Sequence, residues 1–337
     1  MTRGRPVIAV DAMGGDRAPE EIVDGARQAS EQLDVDVVLV GLPSAIEPLL
    51  PSGAGGVTIE PASEVIAMGE DPASAVRSKK DSSIVRSAEV VRDGRADAMV
   101  GAGNTGATMA AALLRFGRIS GVARPAIAVP IPIAGTGRRQ LLVDAGATVD
   151  PEPEWLVQWA RLGREYARVR LGVDDPTIAL LSNGEEAGKG DALRKSAFTL
   201  LSGEKGFIGN VEGRDLARVS ADVIVTDGFT GNVALKTIEG SMFGIAGLVF
   251  SVLDEPEWGD AGARIKLRML EAASDLLPDN TGGALLLGVK GVCVISHGSS
   301  SAGAIVNAVR VARDSVTANV VERMTAAVTR DEVSGAG

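Results

Sequence analysis

The sequence predicts a three-layer α/β/α fold, a doubly wound sheet of the kind covered by helices on both faces. Three observations predict it. Short apolar runs alternate with segments of helical spacing along most of the chain. Six of those runs stop at loops of Gly, Asn, Asp, Ser or Thr. Glycine is abundant, at 42 of 337 residues, while aromatic residues make up only 3%, a composition suited to tight strand-to-helix turns.

The elements follow in order. VIAVDAMGGD (7–16) reads as a strand ending at a double glycine, and APEEI (18–22) opens a helix over 20–33. A second helix is expected over 81–92. DAMVGAGNTGA (97–107) repeats the strand-and-loop grammar and runs straight into a helix over 105–117. QLLVDAGA (140–147) is followed by the acidic, proline-bearing helix start DPEPEW (150–155). The helix over 155–172 carries Trp155, Trp159, Leu162, Tyr166 and Val169 at spacings of three and four, with Arg161, Arg164, Arg168 and Arg170 on other faces. TIALLSNGEEAGKG (177–190), DVIVTDGFTGN (222–232) and GVCVISHGSSSAGA (291–304) complete the set of six. Between the last two, residues 240–280 form a helical excursion of two helices around DEPEWGDAG (254–262). A single domain is expected over 1–328, with a disordered tail at 329–337. In an open parallel sheet the loops beyond the carboxyl ends of the strands converge on one ligand site.

Composition narrows the function. A formal charge of −10 and scarce aromatics argue against a nucleic-acid binder. The lone cysteine, Cys293, sits in an apolar run, reads as a buried strand residue and excludes a disulfide framework. No secretory signal is visible, so a cytoplasmic protein is expected. The uncharged stretch 240–253 is shorter than the roughly 20 residues a membrane-spanning helix needs.

The loops carry the candidate chemistry. GNTGA offers Gly103, Asn104, Thr105 and Gly106 at a helix start, where backbone N–H groups favour an oxyanion. A plain helix cap is the alternative. DAMGGD offers Gly14 and Gly15 as backbone donors, with Asp11 or Asp16 to orient a partner. Neither loop matches a dinucleotide or nucleoside triphosphate fingerprint. Asn183, Glu185, Glu186 and Lys189 share one loop, where solvated charges are the alternative reading. Asp227, Thr230, Gly231 and Asn232 lie in DGFTGN, and the only histidine, His297, stands beside Ser299 in SHGSSSAGA. His297 serves either ligand contact or loop hydrogen bonding, and no GxSxG elbow supports hydrolase chemistry. One histidine and one cysteine make a metal centre a poor fit, so neither metal nor cofactor is expected.

Taken in order, DAMGGDRAP, KKDSSI (79–84), GAGNTGATMA, RPAIAVPIP (124–132), VDAGATVDPEPEWLVQWA, SNGEEAGKGD, GNVEGRDL (209–216), TDGFTGNVALKTIEG and SHGSSSAGA closely resemble phosphate acyltransferases of the PlsX type. The match spans about residues 5–312. Gly69, the segment PDNTGGALLLG (278–288) and SSSAGA depart from the family's usual residues. The resemblance implies a fold like that of the isopropylmalate dehydrogenases and phosphate acetyltransferase. It also implies transfer of a fatty acyl group from acyl-[acyl carrier protein] to inorganic phosphate, feeding phospholipid synthesis without a covalent enzyme intermediate. Lys189 is then expected to hold phosphate or the developing oxyanion, with Asn232 and the GNTGA backbone donating and Asn183, Glu185 and Asp227 orienting them. The expected partners are acyl carrier protein, phosphate, a second copy of the chain as a homodimer, a glycerol-3-phosphate acyltransferase and the inner face of the membrane.

Carrier protein is acidic, so a basic landing patch is expected at RSKK (77–80), Arg138 with Arg139, or RIKLR (264–268). On 264–277, Ile265, Met269 and Leu276 share a helical face that suits a dimer or core contact, or a membrane surface. Rival readings are an acyl-coenzyme A phosphate acyltransferase, a dehydrogenase of the related fold and a membrane-associated scaffold.

Overall fold

Short runs of Val, Ile, Leu and Ala that are buried on both faces build the sheet, as expected of strands sandwiched between helices. The structure, a computed structural model, describes residues 4–51, 55–274 and 278–334. The first part of the chain contains β1 (Val7–Asp11), α1 (Glu20–Gln32), β2 (Asp36–Gly41), α2 (Pro43–Ile46), β3 (Val57–Pro61), α3 (Pro72–Ser78), α4 (Ser83–Arg92), β4 (Ala98–Gly101) and α5 (Thr105–Arg115). The middle contains β5 (Ala126–Pro132), β6 (Arg139–Val143), α6 (Pro153–Arg170), β7 (Ile178–Leu181), α7 (Ala192–Leu201), β8 (Phe207–Val211), β9 (Val223–Val225) and α8 (Gly228–Leu253). The chain closes with α9 (Gly259–Ala272), α10 (Pro278–Thr281), β10 (Ala284–Leu287), β11 (Val292–Ile295), α11 (Ala302–Thr317) and α12 (Val320–Ser334).

Side chains alternate across the strands, so each strand feeds two apolar clusters. Ile8 and Val10 join Trp159, Ile305 and Met324 under α1, α6, α11 and α12, whereas Ala9 joins Val85, Ala111 and Leu142 under α4 and α5. This is the three-layer arrangement. Trp159 is fully buried, and its Nε1 donates to Arg124 O at 3.0 Å. Truncating such a residue costs about 3–5 kcal/mol.

All eleven strands lie in one sheet among the described residues, in the order β3-β2-β1-β4-β11-β10-β5-β6-β9-β7-β8. The sheet is mixed, which corrects the expectation of a parallel one. β10 is antiparallel to both β11 and β5, and β5 is antiparallel to β6. The strands β3, β2, β1, β4 and β11 therefore run opposite to β6, β9, β7 and β8. Their loops leave from opposed edges and do not share one carboxyl rim.

Register brings the two rims together. β10 pairs with residues 126–128 of β5, whereas β6 pairs with residues 128–132. The two halves hang on opposite ends of β5, and their carboxyl ends face each other near Ala128. Beyond Ala128 the strand has lost β10, and there it carries Pro130 and Pro132, residues that a strand tolerates where pairing is one-sided.

Two further expectations meet the structure differently. The helical excursion belongs to a longer element, since α8 starts at Gly228 and runs for 26 residues. At the carboxyl end, α12 continues to Ser334 through residues expected to be disordered. The rest of the expected tail, 335–337, lies outside the described residues, as does Leu276 of the expected amphipathic face.

Candidate active site

Where the rims meet there is a cleft of about 340 Å³. One half supplies Gly103, Thr105, Ser296, His297 and Ser300, and the other supplies Ala145 and Asn232. The first three turns of α8 cross the opening, because Asn232, Lys236 and Glu239 at i, i+4 and i+7 share one helix face. On the other side the wall is apolar. Ile127, Val129 and Ile131 project from one face of β5 towards Leu235, Ile238 and Met242 of α8.

The cation in this cleft is Lys236. Its Nζ lies 2.7 Å from Glu239 Oε2 and 3.0 Å from His297 Nε2. An ammonium only donates, so in this bond Nε2 is the acceptor, and the other ring nitrogen, Nδ1, lies 3.4 Å from Ser299 Oγ. Two of the three ammonium donors are engaged. Lys236 is half exposed, and a pair so open to water adds little to stability. What the pair supplies is orientation.

Backbone packing sets the loops of the first half. A Cβ on Gly14 would lie 2.8 Å from Gly103 N, so only glycine lets the DAMGGD and GAGN turns touch. Asp16 N donates to Gly298 O at 2.7 Å, which ties the His297 loop to the same cluster and leaves Gly15 between Gly298 O and Ala102 O. Asn104 caps α5, with Oδ1 accepting from Ala107 N at 3.0 Å. Its Nδ2 donates to Met68 O and Glu70 O. The Asn104 side chain is thereby used in holding the 67–70 loop, while the first N–H groups of α5 at Thr105 and Gly106 have no acceptor within the helix. Gly106 packs against Pro72. Asp11 is buried, accepts from Met13 N, and has its pKa raised to about 6 by burial against weaker opposing bonds from Ser83 and Met13.

The second half is organised by two carboxylates. Asp144 accepts from the N–H groups of Ile127, Gly146, Ala147 and Thr148. Burial pushes this carboxyl up and the four backbone bonds oppose it. The turn it shapes receives the start of α8 so closely that a Cβ on Gly231 would overlap Asp144 O. Asp227 caps α8 by accepting from Thr230 N at 2.8 Å and pairs with Arg194. Burial raises its pKa, but the bonds from Thr230 and Arg194 outweigh burial and hold it below its usual value. Arg194 also bonds Leu181 O, Thr226 Oγ1 and Thr230 Oγ1, so this one guanidinium stitches β7, β9 and α8 together.

The expected site residues fall into two groups. Gly103, Thr105, Asn232 and His297 line the cleft, and Gly14, Gly15, Asn104, Asp227 and Gly231 build its walls. The SNGEEAGKG loop is not part of the lining. Asn183 Oδ1 accepts from Gly190 N, Glu185 pairs with Arg214 on the surface, and Lys189 stands 52% exposed with Nζ 4.0 Å from Glu186. Sequence reasoning missed Lys236, Glu239 and Arg194. The i, i+4, i+7 spacing after Asn232 was the available signal for the first two. Cys293 is buried with its thiol pushed up to about 12 by burial, and it takes no part.

Comparison with known proteins adds an independent finding. Residues 7–323 match the model of a family described as fatty acid synthesis protein. The chain is 48% identical to a phosphate acyltransferase of Heliobacterium modesticaldum, over 93% of this chain and 95% of the relative. It is 47% identical to another from Pelotomaculum thermopropionicum, over 98% and 97%. Among solved structures, a phosphotransacetylase from Streptococcus pyogenes superposes with a TM-score of 0.62 at 16% identity, covering 93% and 94% of the two chains. A branched-chain phosphotransacylase from Enterococcus faecalis gives 0.59 at 15%, covering 92% and 99%. At such low identity these two speak for the fold.

Proposed function

The chain belongs to the fatty acid synthesis protein family, in which its close relatives are phosphate acyltransferases, and from that premise we propose that it transfers a fatty acyl group from acyl-[acyl carrier protein] to inorganic phosphate. One observation carries the reading: a cleft with an apolar slot between β5 and α8 that ends at Lys236 and the amino terminus of α5. The slot suits an alkyl chain. The cationic end suits phosphate and the charge that develops beside it.

The reaction is an acyl transfer in which a phosphate oxygen attacks the thioester carbonyl carbon. The C–O bond forms as the carbonyl electron pair moves onto oxygen. Collapse restores the carbonyl, breaks the C–S bond and releases a thiolate, which takes a proton from water. A thiol with a pKa of about 8.5 leaves readily, so no strong acid is required. Position and charge carry the catalysis. Holding phosphate against the thioester contributes on the order of 7 kcal/mol or more, and each preorganised donor on the oxyanion adds roughly 3 kcal/mol.

Lys236 takes the electrostatic role, with its remaining N–H directed to phosphate or the oxyanion. The α5 N–H groups at Thr105 and Gly106 cradle phosphate, the Asn232 amide donates to the carbonyl oxygen, and Glu239 and His297 keep Lys236 in position. Asp227, through Arg194 and the α8 cap, is a positioning residue. Lys189, Asn183 and Glu185 then form a charged surface loop near the site.

The distal turns of α8 expose Phe243, Ile245 and Leu248 around the helix, apolar surface that fits a second copy of the chain, which makes a cytoplasmic homodimer the favoured assembly. By length and composition α8 could also cross a membrane, but its first turns belong to the cleft, so contact with the inner membrane face would be lateral. Such contact would deliver acyl phosphate to a glycerol-3-phosphate acyltransferase.

The substrate is tested by supplying phosphate with either acyl-[acyl carrier protein] or acyl-coenzyme A and trapping acyl phosphate with hydroxylamine. Faster product formation from the carrier protein is expected. Faster formation from the coenzyme A ester would make the donor reading wrong while leaving phosphate acyl transfer intact.

A further inference from the structure

One apolar side chain of the cleft belongs neither to β5 nor to α8. Met68 lines the cleft with its side chain 51% exposed, which places it at the opening. Its methyl group reaches to 3.1 Å from where a Cβ on Gly298 would stand, and the Asp16 carboxylate flanks the same point at 3.7 Å. Met68 therefore leans from the 67–70 turn onto the loop that carries His297.

The turn beneath it is braced. Glu70 N donates to Ala67 O at 3.2 Å, and Ala67 N donates back to Glu70 Oε1 at 2.7 Å. The Asn104 amide donates to Met68 O at 3.0 Å and to Glu70 O at 3.1 Å. Lys79 Nζ adds bonds to Glu70 Oε1 at 2.7 Å and to Val65 O at 2.8 Å. Asn104 is also the cap of α5, so the turn is fixed to the helix end whose first N–H groups are assigned to phosphate. A fixed backbone carrying an unbranched, adaptable thioether suits a cover that settles on whatever fills the cleft. An exposed apolar side chain gains burial when a substrate arrives, so binding itself draws Met68 over the reacting end.

We propose that Met68 shields the reacting carbonyl from water and so decides whether the acyl group passes to phosphate or is lost by hydrolysis. This rests on the acyl-transfer reading of the cleft. In the competing reaction a water oxygen attacks the same carbonyl carbon and the C–S bond breaks. One water proton goes to the thiolate and the other to solvent as the carboxylate forms. Water needs no binding site, so its exclusion is what favours phosphate.

Thiol release by the full chain from the faster of the two acyl donors, followed with and without inorganic phosphate, reads both reactions. Wild type should release thiol chiefly when phosphate is present. Met68→Ala should raise the phosphate-independent share roughly fivefold or more, and Met68→Leu should bring it back. Gly298→Ala tests the cover from the other side, because its Cβ crowds the Met68 methyl, and it should move the share the same way. An unchanged share in Met68→Ala, or an equal fall of both rates, would overturn the proposal. Wild type without phosphate-dependent release would instead overturn the acyl-transfer reading, and the proposal with it.

Discussion

At the scale of residues, the lysine that lines the cleft sits on a helix and not in the glycine-rich loop that advertises one. The SNGEEAGKG loop concentrates Lys189 with two glutamates, which is conspicuous in a sequence, yet the loop closes on itself through Asn183 and Gly190. Lys236 carries no local flag apart from its spacing to Asn232 and Glu239, and its meeting with His297 joins positions 61 residues apart. No local pattern encodes that meeting. Asp11 offers a prediction of a different kind. Its folded pKa of about 6 lies above the ordinary 3.8, so the native state keeps a proton that the unfolded chain gives up. Its contribution to stability is therefore full below the ordinary value and is lost as pH rises towards 6, by an amount on the order of 3 kcal/mol. Asp11→Asn removes this term while keeping an acceptor for Met13. Thermal melts at pH 4 and pH 7 should show the variant gaining on wild type at the higher pH, and parallel curves would contradict the assignment.

At the scale of elements, α8 and β5 make the site. The motifs carried by β5 were legible in RPAIAVPIP, but its place as the strand shared by two opposed halves was not, since pairing partners 7–15 and more than 150 residues away set it. Pro130 and Pro132 also argue locally against a strand inside a sheet. If Ile131 and Ile238 wall an acyl slot, Ile131→Trp should raise KM for long acyl donors about tenfold or more and spare short ones, in line with about 0.8 kcal/mol per buried methylene. Steady-state kinetics over a series of chain lengths checks this, and a uniform effect would remove the slot. The other end of α8 exposes Phe243, Ile245 and Leu248. Leu248→Glu should shift the sedimenting species towards the monomer, and liposome co-sedimentation of the same variant separates a dimer face from a membrane face. An unchanged dimer and unchanged liposome binding would leave that face without either role.

At the scale of the whole molecule, the three-layer class and most strand-to-loop junctions were legible because both follow from local alternation and turn chemistry. Strand direction was not. It depends on β10, which enters from the far end of the sequence and reverses the local pattern, and on the β5–β6 hairpin closed by Ile133 N to Arg138 O. That reversal turns six apparently equivalent loops into two opposed sets and puts the first half's glycine-rich turns opposite Asn232 and Lys236. The central claim is that the cleft catalyses by charge held at Lys236. Turnover of Lys236→Ala and Lys189→Ala with saturating acyl donor and phosphate tests it most directly. Loss of a preorganised charge at the reacting centre predicts a fall of roughly a hundredfold or more for Lys236→Ala, with Lys189→Ala near wild type and both variants folded. Near-normal turnover in Lys236→Ala, with the loss falling on Lys189→Ala, would contradict the account.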